Sequence, residues 1–153
     1  MAESGTKLLI PELLLDNQLC FPLYACSRLI TRLYQPILEP LGLTYPQYIV
    51  MMILWQQSPC AVSAIGERAL LASNTLTPLL KRLEMQGLVT RSRASQDERV
   101  VTIALTDAGR ALQQNCAAVP GQIFERTGFT EDKARELKRL LDELIPLLSQ
   151  RMN

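Results

Sequence analysis

The feature that most constrains this chain is a change of period. Between residues 62 and 86 apolar residues recur at helical steps of three and four, and over 88–91 and 100–105 the step drops to two. Spacing of three and four lines one face of a helix, and alternation lines one face of a strand. The segment therefore reads as two short helices and a hairpin. Residues 62–71 form the first helix, with Ile65, Ala69 and Leu70 inward. Ala72-Ser73-Asn74 is the turn, Ser73 or Asn74 caps the second helix, and Gly87 stops it. Leu76, Leu79, Leu80 and Leu83 bury one face, which leaves Ser73, Asn74, Thr75, Thr77, Lys81 and Arg82 on the other. A polar tip at 92–99 joins the two strands.

Helix, tight turn, helix and hairpin predict a winged helix-turn-helix in a mostly α protein with a small β wing. A single helix fits the DNA major groove, and a basic hairpin beside it reaches a neighbouring minor groove. Charge agrees with this reading. Residues 68–99 carry six basic residues (Arg68, Lys81, Arg82, Arg91, Arg93 and Arg99) against Glu84, Asp97 and Glu98, a balance of +3 in a chain of net +1. Positive charge is thus concentrated where phosphate would lie. The small polar residues at 73–77 suit contacts to bases and phosphates.

The flanks divide the chain. Residues 1–10 read as a loose arm, 11–43 as an N-terminal helical region, 44–105 as the winged lobe and 106–153 as C-terminal helices. In 11–41, Leu23, Ser27, Ile30, Tyr34, Ile37 and Leu41 share one helical face, while Pro22 and Pro36 are expected to bend or break it. Thr44-Tyr45-Pro46-Gln47 is a capping box opening a nearly all-apolar, central helix. After the wing, Ala108, Leu112, Cys116, Val119 and Ile123 share a face, and Leu137, Leu141, Leu144 and Leu148 form a last stripe. These stripes exceed what a small winged lobe can cover. A two-fold homodimer would bury them and set two recognition helices one DNA turn, about 34 Å, apart on a pseudo-palindromic double-stranded operator.

Other classes are excluded by what is missing. The chain has no histidine, so His-based triads, His metal sites and imidazole switches are out. No apolar run approaches the ~20 residues of a membrane span, and no basic stretch precedes an apolar core at the N-terminus. The expected compartment is the cytoplasm, where thiols stay reduced, with no membrane partner. Cysteines at 20, 26, 60 and 116 form no CxxC pair, so no metal, cofactor or disulfide framework is expected. Cys26 lies roughly 240° around a helix from Cys20, and Cys60, in the Ser58-Pro59-Cys60 turn, reads as the most exposed second thiol.

Three segments carry a more specific signal: Leu15-Asp16-Asn17-Gln18-Leu19-Cys20-Phe21, Leu41-Gly42-Leu43-Thr44-Tyr45-Pro46-Gln47-Tyr48, and Leu76-Thr77-Pro78-Leu79-Leu80-Lys81-Arg82-Leu83-Glu84. With Asp97-Glu98-Arg99 and Leu105-Thr106, they make the chain, over roughly residues 13–150, resemble the OhrR-type organic hydroperoxide sensors of the MarR family. The resemblance implies a dimeric transcriptional repressor that binds its operator when reduced and leaves it when the N-terminal cysteine, here Cys20, is oxidised. It implies that tyrosine hydroxyls at Tyr34 and Tyr45, with Tyr24 nearby, hold the sulfur. It also implies Arg99 as a minor-groove contact and Asp97 as its organiser.

Peroxide reacts with thiolate, so Cys20 needs surroundings that favour the anion. Asp16 as N-cap would place Cys20 at the fourth helical position, near the positive end of the helix dipole. Phenolic donors would add charge-assisted hydrogen bonds of about 1.5–3 kcal/mol each. Without the resemblance, Cys20 reads equally as a small buried apolar residue. Some family members carry a resolving cysteine late in the fifth helix, but residues 123–126 hold no thiol. Cys116, the candidate second thiol, sits ~13 Å earlier on an apolar face, where core packing explains it. The expectation is single-cysteine sensing, with the Cys20 sulfenic acid capped by a low-molecular-weight thiol and a bridge to the partner's Cys116 as the alternative. The runner-up function is a MarR-type repressor controlled by a small aromatic or amphipathic ligand, with Cys20 inert. An enzyme, a thiol peroxidase, would need a resolving route and is not expected.

Overall fold

The structure, a computed structural model, describes residues 10–94 and 97–152, and only the backbone of residues 94, 97 and 98. Residues 1–9 of the expected arm and the side chain of Asp97 lie outside the described residues.

Two 3-10 turns, Pro11–Leu13 and Leu15–Asn17, precede α1 (Cys20–Leu38). The helix starts later than the apolar spacing implied. Asp16 lies in a 3-10 turn and caps nothing on α1, whose N-cap residue is Leu19. Cys20 is therefore the first helical residue, not the fourth. Neither proline breaks the helix. Pro22 falls in the first turn, where N–H groups have no intrahelical acceptor, and α1 continues through Pro36. A 3-10 turn (Glu39–Leu41) then ends on Gly42 in the left-handed region, φ 71°.

The capping box forms as expected. Gln47 N–H donates to Thr44 Oγ1 at 3.4 Å and Thr44 N–H to Gln47 Oε1 at 2.8 Å, opening α2 (Tyr45–Gln56). Tyr48, Val50, Met51, Ile53 and Leu54 are all buried, so α2 is the central helix. A short strand β1 (Cys60–Ala61) follows and pairs with β3, Cys60 opposite Ile103. Spacing gave no hint of it, because two residues show no period. Helix α3 (Val62–Ala69) keeps Ile65 inward, but Leu70 ends it at φ 53° and is 69% exposed, against expectation.

Helix α4 (Ser73–Met85) buries Leu76, Leu79, Leu80 and Leu83 as predicted. Its N-cap is Ala72, not Ser73 or Asn74. The Ala72 carbonyl accepts from Thr75 and Leu76 N–H, and Ser73 and Asn74 become exposed first-turn residues. Gly87, at φ 73°, stops α4, with Leu88 N–H returning to Leu83 O at 3.0 Å. Strands β2 (Val89–Ala94) and β3 (Asp97–Leu105) are longer than the sequence implied and take in most of the expected tip. The antiparallel sheet has the order β1-β3-β2.

The expected single helix after the wing is two, α5 (Asp107–Cys116) and α6 (Val119–Thr127). Thr106 caps α5 by accepting from Gly109 N–H at 3.0 Å. Gly109, not Ala108, is buried there. Thr130 caps α7 (Glu131–Ser149).

Much apolar surface stays uncovered. Leu19 is 83% exposed on α1, and Leu140 and Leu147 are about half exposed on α7. The chain exposes 11760 Å², against about 7,800 Å² for a compact monomer of this mass. Among the described residues, no single helix is long and apolar enough to cross a membrane.

Candidate functional site

Two sets of residues bear on function. The first surrounds α4 and the wing. Ser73, Asn74, Thr75, Lys81 and Arg82 are exposed on α4, and Thr77 is half-buried. Burial of the leucine face leaves these groups outward by helical geometry alone. Arg91 and Arg93 lie two residues apart on β2, opposite Ile103 and Val101. Arg93 and Arg99 are exposed, while Arg91 is drawn inward. Its Nε is buried with no hydrogen-bond partner among the described residues. It borders a cleft of about 1190 Å³ between α3, α4, the wing and the end of α7, lined also by Leu70, Leu76, Val101 and Leu148. Arg68, the sixth base of the cluster, gives its Nη2 to Gln56 Oε1 at 2.6 Å, so it ties α3 to α2.

The second set surrounds the cysteines and tyrosines. Cys20 is exposed at the first position of α1, and Cys26 is exposed further along it. Tyr24, one turn after Cys20, is exposed and leans on Phe21 (centroids 6.3 Å), with the Arg28 guanidinium 5.6 Å from its centroid. Tyr34 and Tyr45 pack ring against ring, 4.4 Å between centroids and tilted by 32°. Burial raises both phenols, Tyr34 to about 12, helped there by Tyr45 and Tyr48. Each therefore keeps its O–H as a donor at neutral pH. The structure does not bring Cys20 to this pair within one chain. Fourteen residues of helix separate Cys20 from Tyr34, ~21 Å at 1.5 Å per residue.

Of the other two thiols, one departs from the sequence reading and one follows it. Cys60 is buried, not exposed, because β1 pairs it into the sheet. Cys116 is buried as its apolar-face position implied, and burial raises its thiol. Among the described residues, no three Cys, Asp or Glu side chains cluster as metal ligands.

Sequence reasoning missed three residues. Tyr48 is buried 6.0 Å from Tyr34 and 6.3 Å from Trp55, ring centre to ring centre. Trp55 Nε1–H donates to the Gly109 carbonyl at 2.9 Å. The available signal was Gly109 itself, since glycine in a helix's first turn often marks a close approach. A Cβ there would lie 2.1 Å from Leu88 O.

A helix-turn-helix with a basic wing, carried between apolar helices, defines a winged-helix transcriptional regulator. Residues 32–116 match the family model described as Transcriptional regulator SarA/Rot. The organic hydroperoxide resistance transcriptional regulator of Bacillus subtilis is 46% identical over 88% of this chain and 89% of its own. Reduced AbfR bound to DNA, from Staphylococcus epidermidis, superposes with a TM-score of 0.75 at 39% identity, covering 91% of this chain and 95% of that one. Disulfide-formed AbfR superposes at 0.60 and 40% identity, covering 90% and 92%. The chain belongs to the MarR family of transcriptional regulators, in its branch of OhrR-type organic hydroperoxide sensors.

Proposed function

We propose that this chain is a redox-sensing transcriptional repressor, a homodimer that holds a pseudo-palindromic DNA operator when reduced and releases it when organic hydroperoxide oxidises Cys20. The observation that carries the reading is the exposed Cys20 thiol at the start of α1, on the stretch of that helix whose apolar residues, Phe21, Leu23, Tyr24 and Leu29, stay exposed in their own chain. Residues 11–43 and 106–153 form the dimer, and 44–105 read DNA. Ser73, Asn74, Thr75, Thr77, Lys81 and Arg82 enter or flank the major groove. Arg91, Arg93 and Arg99 approach the minor groove and its phosphates, with Asp97 organising Arg99. The better superposition on the reduced, DNA-bound relative than on the disulfide form supports a DNA-competent shape.

The ~21 Å between Cys20 and Tyr34 along α1 makes the sensor a shared site. In a two-fold interface residue i meets j and j meets i. Cys20 of one subunit then faces Tyr34 and Tyr45 of the partner subunit, with Tyr24 beside it, and the free N–H groups of the first turn help to hold the anion. The thiolate attacks the distal peroxide oxygen. The O–O bond breaks, the distal OH becomes the sulfenic acid on Cys20, and the alkoxide takes up the proton that the thiol gave up and leaves as the alcohol. A low-molecular-weight thiol then condenses with it, releasing water and leaving a mixed disulfide. Burial of Cys60 and Cys116 favours this one-thiol route over a bridge to either of them. The regulator relatives support a transcriptional regulator over an enzyme, working in the cytoplasm where thiols start reduced. The added group wedges the subunits, the tyrosine contacts break, and the two reading heads no longer match successive grooves.

The test is DNA binding to a duplex selected by the reduced protein from a random pool, with and without cumene hydroperoxide. Wild type should release it, and Cys20→Ser should bind and stay bound. Release by the Cys20→Ser protein would falsify the assignment. The cleft beside the Arg91 Nε, buried without a hydrogen-bond partner among the described residues, favours one second reading, control by a small amphipathic anion with Cys20 inert. Mass spectrometry after one equivalent of peroxide separates the two, because that reading leaves Cys20 unmodified.

A further inference from the structure

We infer that Tyr48 and Trp55 are positioning residues that carry the state of the Tyr34–Tyr45 pair to the start of α5 and so to the wing. The inference rests on the Cys20 reading above. Tyr34 lies 6.0 Å from Tyr48, and Tyr48 meets Trp55 edge-on at 6.3 Å and 67°. Tyr48 is 3% exposed, so its ring has no free side into which to yield. At the far end Trp55 Nε1–H holds the Gly109 carbonyl at 2.9 Å.

That turn of α5 is bound to the wing as well. Thr106 Oγ1 takes the Gly109 N–H at 3.0 Å and gives its own proton to Gly87 O at 2.6 Å. Thr106 N–H donates to Leu88 O at 3.1 Å, one residue before β2. Gly109 has no side chain, so α5 lies directly on the Leu88 carbonyl. A displaced Tyr34 ring therefore acts on Tyr48, then Trp55, then the one turn that joins the C-terminal helices to the hairpin. Close-packed interiors pass such shifts on because no void absorbs them. Coupling along a chain of residues shows itself in its effect on both ends.

Trp55 is the chain's only tryptophan, so its emission reports this junction alone. The experiment uses full-length protein and the selected duplex, and reads three things before and after cumene hydroperoxide: Cys20 oxidation by mass spectrometry, DNA affinity, and Trp55 emission. In wild type all three should change, and in Cys20→Ser none should. Trp55→Phe keeps a ring but loses the N–H, and Tyr48→Leu loses the ring between Tyr34 and Trp55. Both should hold reduced DNA as wild type does while the peroxide-induced loss of affinity shrinks about two- to tenfold, the worth of one hydrogen bond. Tyr48→Phe should restore the full response. If Tyr48→Leu does not fold, Trp55→Phe and the wild-type emission decide alone. Oxidised wild type that releases DNA with unchanged emission overturns the inference and leaves the sensor intact. So does full release by Trp55→Phe. Wild type that neither oxidises at Cys20 nor lets go of DNA removes both.

Discussion

Replacing Gly109 by alanine puts the junction between α5 and the wing under a measurable load. The new Cβ would sit 2.1 Å from Leu88 O, 3.1 Å from Leu88 C and 3.2 Å from Leu105 Cδ2. The first two are backbone atoms, so no rotamer change relieves them. Reaching ordinary contact, near 3.4 Å, moves α5 by about 1.3 Å against β2. The Trp55 Nε1 to Gly109 O bond, now 2.9 Å, is anchored on the same residue, and a shift of that size is enough to break it. Overpacking costs about 1–3 kcal/mol and the lost bond about 0.5–1.5 kcal/mol, so the variant should be less stable by roughly 2–4 kcal/mol. Gly121 is the control. It lies inside α6 with nothing within 4 Å of its added Cβ. There alanine should gain about 0.5–1 kcal/mol from helix propensity. The assay is urea unfolding followed by circular dichroism at one protein concentration, since a dimer's stability depends on concentration. The reasoning fails if Gly109→Ala unfolds with wild type, or if the two glycines respond alike.

Arg93→Ala should weaken binding on every sequence and flatten its salt dependence. The slope of log affinity against log salt falls by about 0.9 for each phosphate that the protein no longer neutralises, and an unchanged slope means that Arg93 touches no phosphate. Alkali should unfold the protein partly through its tyrosines. Tyr34 is raised from 10.0 to about 12 by burial and then by Tyr45 and Tyr48, so the native state holds its proton longer than the unfolded chain. Its contribution is whole below pH 10.0 and fades as pH climbs through about 12, a loss that Tyr34→Phe should blunt; stability that rose over this range would contradict the sign.

What the sequence disclosed and what it hid follow from the range of the forces involved. The Thr44–Gln47 capping box, the leucine face of α4, the Gly87 stop and the two-residue period of the wing involve residues a few positions apart, and all could be read directly. The proposed sensing cysteine, Cys20, and its proposed partners Tyr34 and Tyr45 came only through a resemblance, because chemistry at a single sulfur leaves no periodic trace. Other features needed partners far along the chain. Cys60 is buried because β1 meets β3 some forty residues later, and a two-residue strand has no pattern to announce it. The junction of Trp55 and Gly109 spans 54 positions. The start of α1 at Cys20 depended on where the preceding turns ended, not on the spacing of its apolar residues. Local sequence thus marked most of the longer elements and most of their faces, since hydrogen bonds and side chains one turn apart suffice for those. Only tertiary packing decided which thiols stay open and which rings Tyr34 meets.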